Sequence, residues 1–141
     1  MGIGRNRFRA LLASTSVAAL LVGTGAPAAF AQCAISPGTN QSSVSNSAAI
    51  NCINITGITV TGDVTNTITG TLTAAGASQP TRTGITINNA SVGGAVINAG
   101  HITASTLGNG IFVTNDAIVS GGISNNGAIS AGGNGIFVGG R

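Results

Sequence analysis

The chain has 141 residues, with five Lys or Arg against two Asp or Glu and a formal net charge of +3. Arg5, Arg7 and Arg9 supply that whole excess, so the chain from Gln32 onward is neutral and keeps only Arg82, Arg141, Asp63 and Asp116 as charges. This leaves no cationic surface for a phosphate backbone and excludes nucleic-acid binding; a hydrophobic content of 43% with so little charge also excludes a disordered chain.

Residues 1–31 read as a secretory signal peptide. The three arginines form the positive n-region, Ala10 to Val22 is an uncharged apolar run, and Ala29-Phe30-Ala31 supplies the small-x-small pattern, so cleavage is expected between Ala31 and Gln32. The run is well short of the roughly 20 residues that span a bilayer. Its spaced arginines fit the general export route better than the twin-arginine one. The chain is therefore expected to use the export machinery and to cross the inner membrane.

Residues 32–56 are Ser- and Asn-rich with a Pro37-Gly38 turn, and read as an N-terminal cap or lead-in. Cys33 and Cys52 are the only cysteines and are expected in a compartment where thiols oxidise. A disulfide between them would constrain the unfolded chain by on the order of 3 kcal/mol. A metal pair or two free thiols are the alternatives, though no His or acidic ligand lies nearby in sequence.

Residues 57–141 are periodic. Gly-Ile-x-(Val/Ile) occurs at Gly57-Ile58-Thr59-Val60, Gly84-Ile85-Thr86-Ile87, Gly110-Ile111-Phe112-Val113 and Gly135-Ile136-Phe137-Val138, at steps of 27, 26 and 25 residues. Gly-x-(Ile/Leu)-(Thr/Ser)-Ala follows in phase at Gly70 to Ala74, Gly100 to Ala104 and Gly127 to Ala131. Glycines and β-branched residues interrupt every window of helical length. Period-two alternation places Ile and Val of the first unit inward and Thr59, Thr86, Phe112 and Phe137 outward. In the second unit Leu72, Ile102 and Ile129 point inward, and Thr71, His101 and Ala128 outward. A third strand is expected across Val92 to Val96 and Ile118 to Ile123, with Gly93-Gly94 and Gly121-Gly122 as bends. The expected fold is all-β: a parallel β-solenoid of about three roughly triangular coils, each too small to stand alone and stabilised by its neighbours. Asn98 and Asn125 occupy equivalent positions, where they either form a hydrogen-bonded ladder or tolerate left-handed turns.

Chemistry is sparse. His101, the only histidine, stands where neighbouring coils carry Thr71 and Ala128, so a triad with a serine and Asp63 or Asp116 is poorly supported. There is no Glu, which argues against paired catalytic carboxylates. Gly132-Gly133-Asn134-Gly135 opens like a calcium-binding nonapeptide, but Phe137 stands where the ligand Asp belongs. No cofactor or metal is expected. Phe112 and Phe137, the only aromatics after the signal peptide, are either an exposed contact surface or a stacking ladder in the wall.

The signal peptide, the Cys-containing lead-in, and Gly-Ile-x-Val combined with Gly121-Gly122-Ile123-Ser124-Asn125-Asn126-Gly127-Ala128-Ile129-Ser130-Ala131 together resemble the start of an autotransporter passenger, the type V secretion class of Gram-negative bacteria. The resemblance spans roughly Gly57 to Arg141. It implies a right-handed parallel β-helix at the cell surface, serving as adhesin, stalk or protease support and meeting host or neighbouring-cell surfaces. It also implies a C-terminal outer-membrane β-barrel, which this sequence does not contain, so a passenger fragment is expected, with exposed strand edges at its open end. Two functions are weighed: a structural or adhesive surface module without catalysis, and a fragment of a β-helical polysaccharide-active enzyme, for which Asp63, Arg82, His101 and Asp116 are thinly spread.

Overall fold

The computed structural model describes Cys33 and residues 39–140. The expected signal peptide, residues 1–31, and the expected cleavage point between Ala31 and Gln32 lie outside the described residues. What is described is all-β, without a helix: fifteen short strands.

In chain order, β1 (Val44–Asn46) and β2 (Ala49–Ile50) begin the stack. One coil follows, made of β3 (Ile53–Thr56), β4 (Thr59–Val60), β5 (Val64–Asn66) and β6 (Thr71–Ala74). The next contains β7 (Ile85–Asn88), β8 (Ser91–Val92), β9 (Val96–Asn98) and β10 (His101–Ala104). The third contains β11 (Ile111–Thr114), β12 (Ile118–Val119), β13 (Ile123–Asn125) and β14 (Ala128–Ser130), and β15 (Ile136–Val138) starts another turn. Equivalent strands of successive coils pair in parallel, giving four sheets: β3-β7-β11-β15, β4-β8-β12, β1-β5-β9-β13 and β2-β6-β10-β14. This is a parallel β-solenoid.

Period-two alternation makes the interior. Ile53, Ile55, Ile85, Ile87 and Ile111 of one sheet face Leu72 and Ile102 of another, with Val60, Val92, Val64 and Val96 closing the remaining sides, all of them buried. Each such side chain stabilises the stack by about 1.5 to 3 kcal/mol on burial. Further along the stack Ile118, Ile136 and Val138 are exposed.

Three features differ from the sequence-based expectation. First, each coil has four strands, not three. The stretch read as one strand across Val92 to Val96 breaks into β8 and β9 at a column of glycines, where the Gly94 N–H donates to the Gly62 carbonyl (3.0 Å) and the Gly121 N–H to the Gly94 carbonyl (2.8 Å). A Cβ on Gly121 would stand 2.6 Å from the Gly94 carbonyl carbon, so only glycine lets the coils stack through this corner.

Second, Gly57-Ile58-Thr59-Val60 is not the equivalent of Gly84-Ile85-Thr86-Ile87. Ile53-Asn54-Ile55-Thr56 pairs with Ile85–Asn88, while Thr59 and Val60 pair with Ser91 and Val92. The shared letters have different causes. Gly57 turns a left-handed corner (φ 65), the place that Asn89 (φ 46) and Asn115-Asp116 (φ 53 and 58) take in later coils. Gly84 instead allows close stacking, since a Cβ there would lie 2.8 Å from the Gly110 carbonyl oxygen.

Third, the stack reaches back past residue 57. β1, β2 and β3 fall within residues 32–56, the segment read as a cap, and pair with β5, β6 and β7. Their alternation is regular, but no Gly-Ile-x-Val signature marks it.

Candidate functional site: an asparagine ladder and an outer groove

Asn46, Asn66, Asn98 and Asn125 end the strands of one sheet and are hydrogen-bonded in series. The Asn46 Nδ2 donates to Asn66 Oδ1 (2.9 Å), Asn66 Nδ2 to Asn98 Oδ1 (2.8 Å) and Asn98 Nδ2 to Asn125 Oδ1 (2.7 Å). Each Nδ2 also donates within its own coil, to the carbonyls of Ala48, Gly70, Gly100 and Gly127. The first three are buried, and this bonding offsets the cost of dehydrating their amides. Of the two readings of Asn98 and Asn125, the ladder holds, and it is longer than the sequence indicated. The sequence separations along it are 20, 32 and 27 residues, and that irregularity hid Asn46 and Asn66. The ladder is a device of the fold.

The few groups with chemical potential are dispersed. His101 is exposed on β10 between Thr71 and Ala128, as expected for an ordinary outward residue. The Asp63 carboxylate accepts the Ala95 N–H (2.8 Å) and so holds the corner of the next coil. Asp116 sits in the left-handed corner after β11. Among the described residues no three His, Cys, Asp or Glu come together as a metal site. The Gly132-Gly133-Asn134-Gly135 turn is used for stacking, its Asn134 N–H donating to Asn109 Oδ1 (2.9 Å). Cys33 and Cys52 are joined as a disulfide, their Cα atoms 4.3 Å apart, and Cys52 is fully buried.

The feature with a binding geometry lies on the outer face of the sheet β3-β7-β11-β15. Its central outward row is Asn54, Thr86, Phe112 and Phe137; Asn54 replaces the Thr59 expected from sequence. Phe112 and Phe137 stack with ring centroids 5.1 Å apart and planes at 29°. Phe112 is half-buried and Phe137 is 38% exposed, so the pair forms a ladder that still shows an aromatic surface.

Beside this row stands the loop 75–84, which accounts for the 32-residue separation in the ladder. The loop is internally bonded: the Gly76 N–H donates to the Thr81 carbonyl and the Arg82 N–H to the Ser78 carbonyl, both at 3.0 Å. Gln79 Nε2 donates to Thr83 Oγ1 (2.9 Å), and that buried hydroxyl receives the Asn109 N–H of the next coil (3.3 Å). Between loop and sheet runs a groove of about 390 Å3, lined by Gln79 and Pro80 on one side and Asn54, Thr86 and Phe112 on its floor. Thr56, Asn88, Thr114 and Asn115 complete it, so its lining has no ionisable group. Asn115 Nδ2 donates to Asn88 Oδ1 (2.7 Å), and the Thr56 hydroxyl donates to Asn54 Oδ1 (2.8 Å). Thr86 is 4% exposed and its Oγ1 has no partner, which costs about 1 to 3 kcal/mol. Of these residues the sequence marks Phe112 as a contact candidate and Thr86 only as another outward position; the extra residues before Gly84 are the one signal for the loop.

The chain matches no known protein family, curated protein or solved structure.

Proposed function

We propose that the chain is an exported passenger module of the autotransporter kind, surface-exposed or secreted, with a structural or adhesive role and no catalysis of its own. The observation that carries this reading is the stacked-coil architecture: the core is a single apolar column with an asparagine ladder, so the outward side chains of the described strands can vary to suit a contact. The export pattern of residues 1–31 and the resemblance of the repeats support it. The outer groups an enzyme would use sit on different elements, with His101 on β10 and Asp63 engaged at the corner before β5.

The test joins residues 1–31 to a reporter enzyme that is active only outside the cytoplasm, and treats intact cells expressing the whole chain with protease. Reporter activity, a new N-terminus at Gln32 and cleavage of the chain on intact cells are expected. A reporter retained in the cytoplasm, or depolymerisation of acidic polysaccharides by the purified protein, would overturn the reading.

A further inference from the structure

We infer that the groove between loop 75–84 and the Phe112–Phe137 pair binds a neutral oligosaccharide; this names the ligand class of the adhesive reading above and rests on it. Its lining contains no ionisable side chain, so an acidic ligand would lose its hydration with no cation to replace it. What the groove offers instead is an apolar platform edged by amides and hydroxyls. Phe112, backed by Phe137 at 5.1 Å, presents an aromatic surface of the kind on which the C–H face of a pyranose ring packs. Gln79, Asn54 and Asn88 each carry both donors and acceptors, matching sugar hydroxyls that also do both.

Thr86 gives the independent sign of a ligand. It lines the groove, is 4% exposed, and its hydroxyl has no protein partner. Buried polar groups are nearly always bonded; the Thr86 hydroxyl is closed to solvent in the unliganded chain, so a ligand hydroxyl completes the set when the side chains at the groove floor move to admit it. A peptide cannot add as a strand at β7 or β11, which are paired on both sides; of the groove's strands only β3 ends the sheet among the described residues.

The test uses the exported full chain on an array of neutral oligosaccharides of glucose, mannose, galactose and N-acetylglucosamine, beside polygalacturonate and sulfated glycans as acidic probes. Binding to one or more neutral probes is expected, about tenfold weaker in Phe112→Thr, which restores the residue type of the preceding coil. Thr86→Val, which keeps shape and removes only the hydroxyl, should also weaken binding while leaving the melting temperature unchanged or higher. A structural role alone would not produce that opposition. Absence of neutral-sugar binding, preference for the acidic probes, or unchanged binding in both variants would overturn the inference. Protease access on intact cells remains a separate readout, so a surface-exposed chain that binds no glycan would remove this inference and leave the export reading standing.

Discussion

Asn66 shows how much one side chain contributes here. It is fully buried, receives one amide hydrogen bond from Asn46, and donates to Asn98 and to Gly70. Asn66→Ala leaves Asn46 and Asn98 with unmatched polar atoms and is expected to cost about 2 to 4 kcal/mol in urea unfolding. Asn125→Ala, at an exposed position, should cost less than about 1 kcal/mol. Equal effects at the two positions would show that the ladder does not stabilise the stack. Cys52→Ser, which removes the Cys33–Cys52 disulfide, should lower stability by about 3 kcal/mol, and mass spectrometry of the unreduced wild type should find Cys33 and Cys52 in one linked peptide pair. Inward side chains were legible in the sequence, since alternation alone assigns Ile85, Ile87, Leu72 and Ile102 to the core. Thr86 was not. Alternation places it outward, and only the fold reveals that it is buried at the floor of a groove.

At the scale of elements, the corners decide the geometry and are the hardest to read. β8 and β12 are two residues long, too short for a periodic signal, and the glycine column that separates them from β9 and β13 looks locally like a bend within one strand. Gly-Ile-x-Val misled in the other direction: at residues 57–60 it satisfies the motif through a left-handed corner, and at 84–87 through close stacking. The same motif therefore holds glycines of unequal tolerance. A Cβ on Gly110 would collide with the Gly135 carbonyl and the Ile129 side chain, whereas one on Gly135 would find its nearest neighbour 4.0 Å away, at Ile129 Cγ2. Gly110→Ala is expected to cost about 1 to 3 kcal/mol and Gly135→Ala to lie within about 0.5 kcal/mol of wild type, read as shifts in denaturant midpoint.

For the whole molecule, stability is shared between neighbouring coils, because the strands inside each sheet pair with their equivalents before and after them. Ile111 sits in β11 between β7 and β15 with no exposed surface. Ile111→Asp places a charge inside the column and should abolish cooperative unfolding and the β-type circular dichroism, a loss above about 4 kcal/mol. The solenoid class was legible because two motifs keep one order along the chain. The groove was not, since Asn54, Gln79, Thr86 and Phe112 come from successive coils and a loop, and no local pattern brings them together.

The coil register carries every such juxtaposition, and cross-linking tests it directly. Thr59 and Ser91 are parallel partners with outward side chains, at the roughly 5 Å strand spacing that a disulfide can bridge. Under mild oxidation Thr59→Cys with Ser91→Cys should form an intramolecular cross-link, identified by peptide mass spectrometry, while Thr59→Cys with Thr86→Cys should not. A cross-link between positions 59 and 86 in place of 59 and 91 would restore the register suggested by Gly-Ile-x-Val and contradict this structure.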